Sequence, residues 1–290
     1  MTQSFSGNSP TINRVIMLKN LDEINYPILD VRAVNRFLFY PRGGEPIPPS
    51  TEHVKTIIIP VEENIIIGAR CHVNSKNAPN ILFFHGNGEI ISDYDDFAPL
   101  FLELGFNFIP VDYRGYGFSM GSPSVTSMMR DCHAVFGYIK DWLLTEQMSG
   151  PLLVMGRSLG SASALELAGN YENHIAGLIL DSGFAHTRPL LENLGLDQDA
   201  IGFREEDGFG NLQKIKGYQK PTLIIHGDND EIIAVSEGRE LYETCPSRVK
   251  KLLIIPGAGH NDLLMYGLQD YLASLTWIRG AVQYDCGNFY

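Results

Sequence analysis

Gly156-Arg157-Ser158-Leu159-Gly160 is the segment with the most chemical potential. It follows the apolar run Pro151 to Met155 and precedes a helical pattern that starts near Ala162. A serine on a sharp strand-to-helix turn is presented as a nucleophile. The flanking glycines remove side chains that would collide there, and the helix N-terminus aims free amides at developing negative charge. A serine hydroxyl is a poor nucleophile until a base takes its proton. His260 is the best candidate base, because Pro256 to Asp262 forms a Gly-rich loop directly after the last strand-like run. Such loops fall at the carboxyl edge of an open sheet, where ligands bind.

A base of this kind needs a carboxylate to fix its tautomer. His226-Gly227-Asp228-Asn229-Asp230 follows another apolar run and offers two. Asp230 is preferred because it lies deeper in the loop; Asp228 could instead shape the turn through backbone amides. Asp181, also at a strand end, is a third option. The order Ser158, Asp230, His260 is that of the hydrolases built on a nucleophile elbow. His85-Gly86-Asn87-Gly88-Glu89 completes the set, and the amides of Asn87 and Leu159 are the natural oxyanion donors.

These residues need a scaffold that brings four loops to one edge. Short apolar runs recur at residues 81–84, 106–111, 152–155, 178–180, 223–225 and 252–255, each apolar on both faces. That pattern suits strands buried in a parallel sheet. Val54 to Pro60 and Asn64 to Val73 read as a preceding hairpin. Helical spacing falls between the runs, as in Phe97, Leu100, Phe101 and Leu104, in Val135, Tyr138, Ile139 and Trp142, and in Ala164, Leu165 and Ala168. The expected fold class is therefore α/β, a doubly wound sheet with right-handed crossovers.

Residues 1–53 read as an N-terminal extension, with a short amphipathic helix within Ile28 to Tyr40 and a linker through Pro46, Pro48 and Pro49. The hydrolase-like domain then spans 54–280, and 281–290 form a tail. The interval between Asp181 and Pro221 is too long for a simple crossover. It is expected to hold one helix (Arg188 to Leu194) and a small cap at about 184–219. Phe184, Leu190, Leu191, Leu194, Ile201 and Phe203 could line an acyl pocket there or pack the cap onto the core.

The motifs resemble the α/β-hydrolase fold family, more narrowly its bud-emergence-like and depalmitoylase-like domain proteins and their bacterial relatives. Phe84 to Gly88, Asp112-Tyr113-Arg114-Gly115-Tyr116-Gly117-Phe118-Ser119, the Ser158 pentapeptide, His226 to Asp230 and Gly259 to Asp262 carry the likeness. The resemblance implies an eight-stranded, mostly parallel sheet and Ser158, Asp230 and His260 as a triad. It also implies an acyl-enzyme mechanism without cofactor or metal. Glu89 departs from the subgroup and is similar to the loop of monoacylglycerol lipase-like hydrolases. This makes Glu89 a candidate substrate contact and leaves ester and thioester both open.

Bland roles suit several neighbours. Arg114 pairs with a local carboxylate, Arg157 braces loops, and Asp262 caps a helix. His133 and His174 lie on the surface, and Met120, Met128 and Met129 fill core or cap.

Composition narrows the partners. The 290 residues carry 22 Lys and Arg against 34 Asp and Glu, a net charge of −12. Without a basic stripe this argues against nucleic acid. No run reaches the roughly 18–20 apolar residues of a membrane helix. Residues 1–30 lack the apolar core of a secretory signal. The four cysteines are scattered without metal-ligand spacing, which suits a reduced, cytoplasmic protein. The partner expected is a small-molecule acyl ester or thioester. An acyltransferase with the same triad, or a non-catalytic binding protein on the same fold, are the alternatives. A serine at the elbow excludes a dehalogenase-type carboxylate nucleophile. Some 50 N-terminal residues cannot supply an oligopeptidase propeller. If Glu205-Glu206-Asp207 sits at the site mouth, anionic acyl donors are disfavoured.

Overall fold

The structure, a computed structural model, describes residues 20–44 and 50–287. Helix α1 (Arg32–Leu38) precedes a hairpin of β1 (Val54–Glu62) and β2 (Ile65–His72). Strands and helices then alternate: β3 (Asn80–Phe84), α2 (Ala98–Glu103), β4 (Asn107–Val111), α3 (Val125–Thr145), β5 (Leu152–Arg157), α4 (Gly160–Tyr171) and β6 (Gly177–Asp181). After these come α5 (Thr187–Asn193), α6 (Asn211–Lys216), β7 (Thr222–Gly227), α7 (Val235–Thr244), β8 (Lys250–Ile255) and α8 (Leu263–Gly287).

The eight strands form one sheet in the order β1-β2-β4-β3-β5-β6-β7-β8. β1 and β2 are antiparallel, β2 meets β4 antiparallel, and the remaining pairs are parallel. Strand alternation splits the core between the two faces. Leu82, Phe84, Val154 and Leu180 join α3 and α4 on one side; Phe83, Met155, Ile179 and Ile225 join α2 and α8 on the other. Helices on both faces explain why the strands are apolar throughout rather than alternating.

All eight expected strands are present. Three helices that the hydrophobic spacing passes over are α6, α7 and α8. α6 packs on α4 and α7, so the long interval after β6 contains a true crossover helix besides α5. Phe184, Leu190, Leu191, Phe203 and Phe209 of that interval are buried in the α3–α4 core. α8 continues to Gly287, through most of the expected tail. Its one non-helical residue is Gly267, where a Cβ would come within 2.6 Å of Ile255.

The N-terminal segment also folds onto the body. Ile24, Leu29, Val34, Leu38 and Phe39 are buried in the same core as the sheet. Residues 1–19 and the linker prolines at 45–49 lie outside the described residues. His133 corrects an expectation of surface placement. It lies on the inner face of α3 with no exposure, Nδ1 2.7 Å from Tyr171 Oη and Nε2 3.0 Å from Glu166 Oε1. Met128 and Met129 are core residues, whereas Met120 is exposed.

Leu29 is fully buried, so Leu29→Ala removes core contacts and leaves a cavity. It is expected to cost about 2–5 kcal/mol. Phe37→Ala, at a residue 44% exposed, is expected to cost about 0.5 kcal/mol or less. Urea unfolding of the two variants checks this; equal, small losses would mean that residues 20–44 contribute nothing to the core.

Candidate active site

Ser158 occupies the turn between β5 and α4 at φ 51°, a left-handed conformation rare outside glycine. The neighbouring glycines are sterically required. A Cβ at Gly156 would lie 2.3 Å from the Gly160 carbonyl oxygen, and one at Gly160 would lie 2.1 Å from the Phe84 carbonyl oxygen. The turn is thus wedged between the start of α4 and the end of β3. The Ser158 amide donates to the Asp181 carbonyl at 2.8 Å, which ties the elbow to β6.

His260 comes from the loop between β8 and α8. Its Nε2 lies 2.9 Å from Ser158 Oγ and its Nδ1 2.8 Å from Asp230 Oδ2. An ionised carboxylate only accepts, so Nδ1 carries the ring proton and Nε2 offers its lone pair to the serine hydroxyl. Asp230 is anchored by the amides of Ile232 and Ile233 to Oδ1, at 2.9 and 2.7 Å. Buried His226 donates Nε2–H to the Ile233 carbonyl at 2.8 Å and stands 3.4 Å from Asp230 Oδ2. Burial alone would push the Asp230 carboxyl up. Hydrogen bonds with His226, His260 and the Ile233 amide outweigh it and hold the group well below the usual carboxylate range.

The other two carboxylates have different partners. Asp228 accepts from the Gly257 amide at 2.6 Å and joins the β7 and β8 loops. Asp181 accepts from Tyr271 Oη at 2.6 Å. Asp262 precedes α8 and accepts from the Gly259 amide at 2.7 Å.

The loop after β3 is held from several sides. Tyr113 Oη donates to the His85 carbonyl at 2.7 Å, and Asp112 accepts from the Ile91 amide at 2.9 Å. Tyr116 Oη donates to Asn87 Oδ1 at 2.8 Å, and the Tyr40 amide donates to the same oxygen at 2.7 Å. Arg42 donates to the Gly88 carbonyl at 2.8 Å and pairs with Asp93. Residues 40–42 therefore lie as a strap across this loop, a role that motif reading of residues 1–53 did not reach. Among the described residues the amides of Asn87 and Leu159 have no hydrogen-bond acceptor. They remain free for an incoming oxygen.

Glu89 is already committed within the protein. Oε2 accepts from the Gly86 amide at 2.6 Å and from Tyr94 Oη at 2.5 Å, while Oε1 pairs with Arg157. Arg157 also donates to the His260 carbonyl at 2.9 Å and to Asn261 Oδ1 at 3.0 Å, joining the two loops. Arg114 pairs with Asp131 and Glu62.

A cavity of about 480 Å³ opens beside this network between α2 and α8, with Glu89, Arg157, Asp181 and His260 in its wall. Phe184, Leu190 and Phe203 are buried and do not line it. The acidic cluster is elsewhere too. Glu205 accepts the Thr187 and Arg188 amides at the start of α5, and Asp207 accepts the Arg204 amide. Among the described residues no group of three or more His, Cys, Asp or Glu could hold a metal ion, and no helix is long and apolar enough to cross a membrane.

Residues 75–195 and 211–264 match the family described as serine aminopeptidase, S33. Those segments make up more than half of the chain and contain the Ser158, Asp230 and His260 positions. The chain belongs to this α/β-hydrolase family. Among curated relatives, human alpha/beta hydrolase domain-containing protein 17B is 32% identical over 209 residues, 68% of this chain and 65% of that protein. The domain-containing protein aho-3 of Caenorhabditis elegans is 32% identical over 193 residues, 64% of this chain and 53% of that protein. The chain thus spans less than two thirds of the length of either. The solved esterase Pf2001 of Pyrococcus furiosus superposes with a TM-score of 0.65 at 18% identity, covering 79% of this chain and 93% of that one. Est1E of Butyrivibrio proteoclasticus, solved with ferulic acid, superposes at 0.60 and 18% identity, covering 79% and 99%. At such identity these structures speak for the fold alone, and the fold is the α/β-hydrolase fold.

The depressed Asp230 carboxyl has a sign that can be measured. Its folded value lies below its unfolded value near 3.8. The stability it contributes is complete above that value and is lost as pH falls through the folded one. Wild type is expected to exceed Asp230→Asn in urea midpoint at about pH 5. The margin shrinks below about pH 4. A margin that grows in acid would contradict the assigned hydrogen bonds.

Proposed function

We propose that this protein is a serine hydrolase that cleaves a carboxylic ester or thioester through an acyl-enzyme. The unbroken hydrogen-bond chain from Ser158 Oγ through the His260 ring to Asp230 carries the reading. Ser158 Oγ attacks the acyl carbonyl while His260 Nε2 takes its proton. Asp230 holds the ring and stabilises the imidazolium that forms. The free amides of Asn87 and Leu159 receive the oxyanion. The carbon–oxygen or carbon–sulfur bond then breaks, and His260 returns the proton to the departing alcohol or thiol. Water, deprotonated by the same histidine, releases the acid and restores Ser158.

The comparisons support the same class, since the family consists of hydrolases and the solved neighbours include esterases. The mechanism uses no cofactor. Cys71, Cys132 and Cys245 are buried and outside any disulfide, which suits a reducing, cytoplasmic setting.

Turnover of a p-nitrophenyl ester and labelling by a fluorophosphonate test the reading. Ser158→Ala is expected to lose the label and at least about a thousandfold in kcat, and Asp230→Asn to lose about ten-thousandfold. Equal rates from wild type and Ser158→Ala would remove the serine from the mechanism.

A further inference from the structure

We propose that the cavity between α2 and α8 holds one uncharged aliphatic arm of the substrate; this rests on the ester-hydrolase reading above. Two sets of apolar residues lie near the sheet edge that carries Ser158. On the α5 side, Phe184, Leu190 and Phe203 are no more than 8% exposed and already pack into the core. No residue of that trio can receive a chain without displacing core. On the other face of the sheet an open volume of about 480 Å³ exists, within the ordinary range of roughly 300–1,000 Å³ for ligand pockets.

Its walls have the required chemistry. Phe83 and Met155 of the sheet form the floor, Leu100 and Phe101 of α2 one side, and Leu272 and Leu275 of α8 the other. His260, Asn261 and Asp262 belong to the wall, so the space lies against the loop that carries His260. Phe97 and Met265 also line it and are 42% and 84% exposed, which places an opening to solvent between α2 and the first turn of α8. A largely apolar space next to the His260 loop that opens to solvent accepts a linear chain and leaves its far end unrestricted.

Charge decides what the arm cannot be. Glu89, Asp93, Asp181 and Asp262 line the cavity against a single guanidinium, Arg157. Arg157 is already paired with Glu89. An arm ending in a carboxylate would meet surplus negative charge with no free cation to receive it.

The wall contains the base but not the serine, so the arm is either the acyl chain or the alkyl chain of the leaving alcohol. Two ester series separate these sources. One lengthens the acyl group of p-nitrophenyl esters from acetate to decanoate, and the other lengthens the alkyl group of acetates from ethyl to decyl. KM is expected to fall by up to about fourfold per added methylene in one series. Leu100→Trp and Leu272→Trp, which fill the cavity from its two helical walls, are expected to abolish that fall. The series that responds identifies the arm. If either variant fails to fold, Leu100→Ala and Leu272→Ala enlarge the space and are expected to extend the longest chain that still lowers KM. Unchanged length profiles in folded variants that still take the fluorophosphonate label would overturn the cavity assignment while leaving the hydrolase reading intact. Absence of both label and ester cleavage in wild type would bring down the hydrolase reading, and the assignment with it.

Discussion

Ser158 stands at φ 51° because the chain must pass from β5 into α4 within two residues, and space for that passage exists only where Gly156 and Gly160 lack side chains. Holding a non-glycine residue in this region costs of order 1–3 kcal/mol and persists only where the surroundings over-determine it. Here they do. The Ser158 amide is bound to Asp181 of β6, Ser161 Oγ donates to the Ser158 carbonyl at 2.7 Å, and the end of β3 presses on Gly160. The sheet supplies the energy that the turn costs, and the turn fixes where Oγ and the Leu159 amide point. Each remaining group has to be brought to that point.

The loop after β3 is brought there by polar side chains rather than by the sheet. Asp112, Tyr113 and Tyr116 come from the segment after β4, and each bonds the segment after β3. The strap at residues 40–42 binds the same loop from outside. Buried hydrogen bonds of this kind are costly if half-satisfied and rigidifying if complete. A triad can tolerate little drift, because a misplacement of about 1 Å costs roughly a hundredfold in rate. Dividing the work this way leaves the apolar core to set the strand ends and the tyrosines to set the loop positions.

The sequence reveals the parts that depend on local pattern. Strands buried on both faces are continuous apolar runs, and glycine-flanked serine or histidine after such a run marks a loop at the sheet edge. What it conceals depends on partners far away in the chain. α6 has six residues and α7 is strongly polar outside its buried face, so neither shows an extended apolar stripe. His133 reads as polar and therefore exposed, yet Tyr171 and Glu166 satisfy both ring nitrogens inside the core. Nothing local to Glu89 reveals its pairing with Arg157, 68 residues later. The apolar residues of the 184–219 interval can line a pocket or fill a core, and composition carries no term that separates the two.

Arg157 shows why the site and the fold cannot be altered independently here. It is the register partner of Asp181 across β5 and β6, so their side chains leave the sheet on the same face. Asp181 Oδ2 is bonded by Tyr271, but Oδ1 has no hydrogen-bond partner. The nearby guanidinium is what compensates that charge, and it compensates Glu89 by direct pairing at the same time. Removing one partner of a buried charge group strands the others, at a cost that exceeds the worth of the original pair. Loss of Arg157 would strand two carboxylates and release the His260 carbonyl and Asn261 together. The residue immediately before Ser158 therefore serves as the electrostatic junction of the β3, β5, β6 and β8 loop ends. Asp181 is not bonded to His260: its Oδ2 is held by Tyr271 of α8, and the His260 ring is bonded to Asp230 instead. Asp230, on the β7 loop, is the carboxylate that holds the His260 ring, which arrives from the β8 loop.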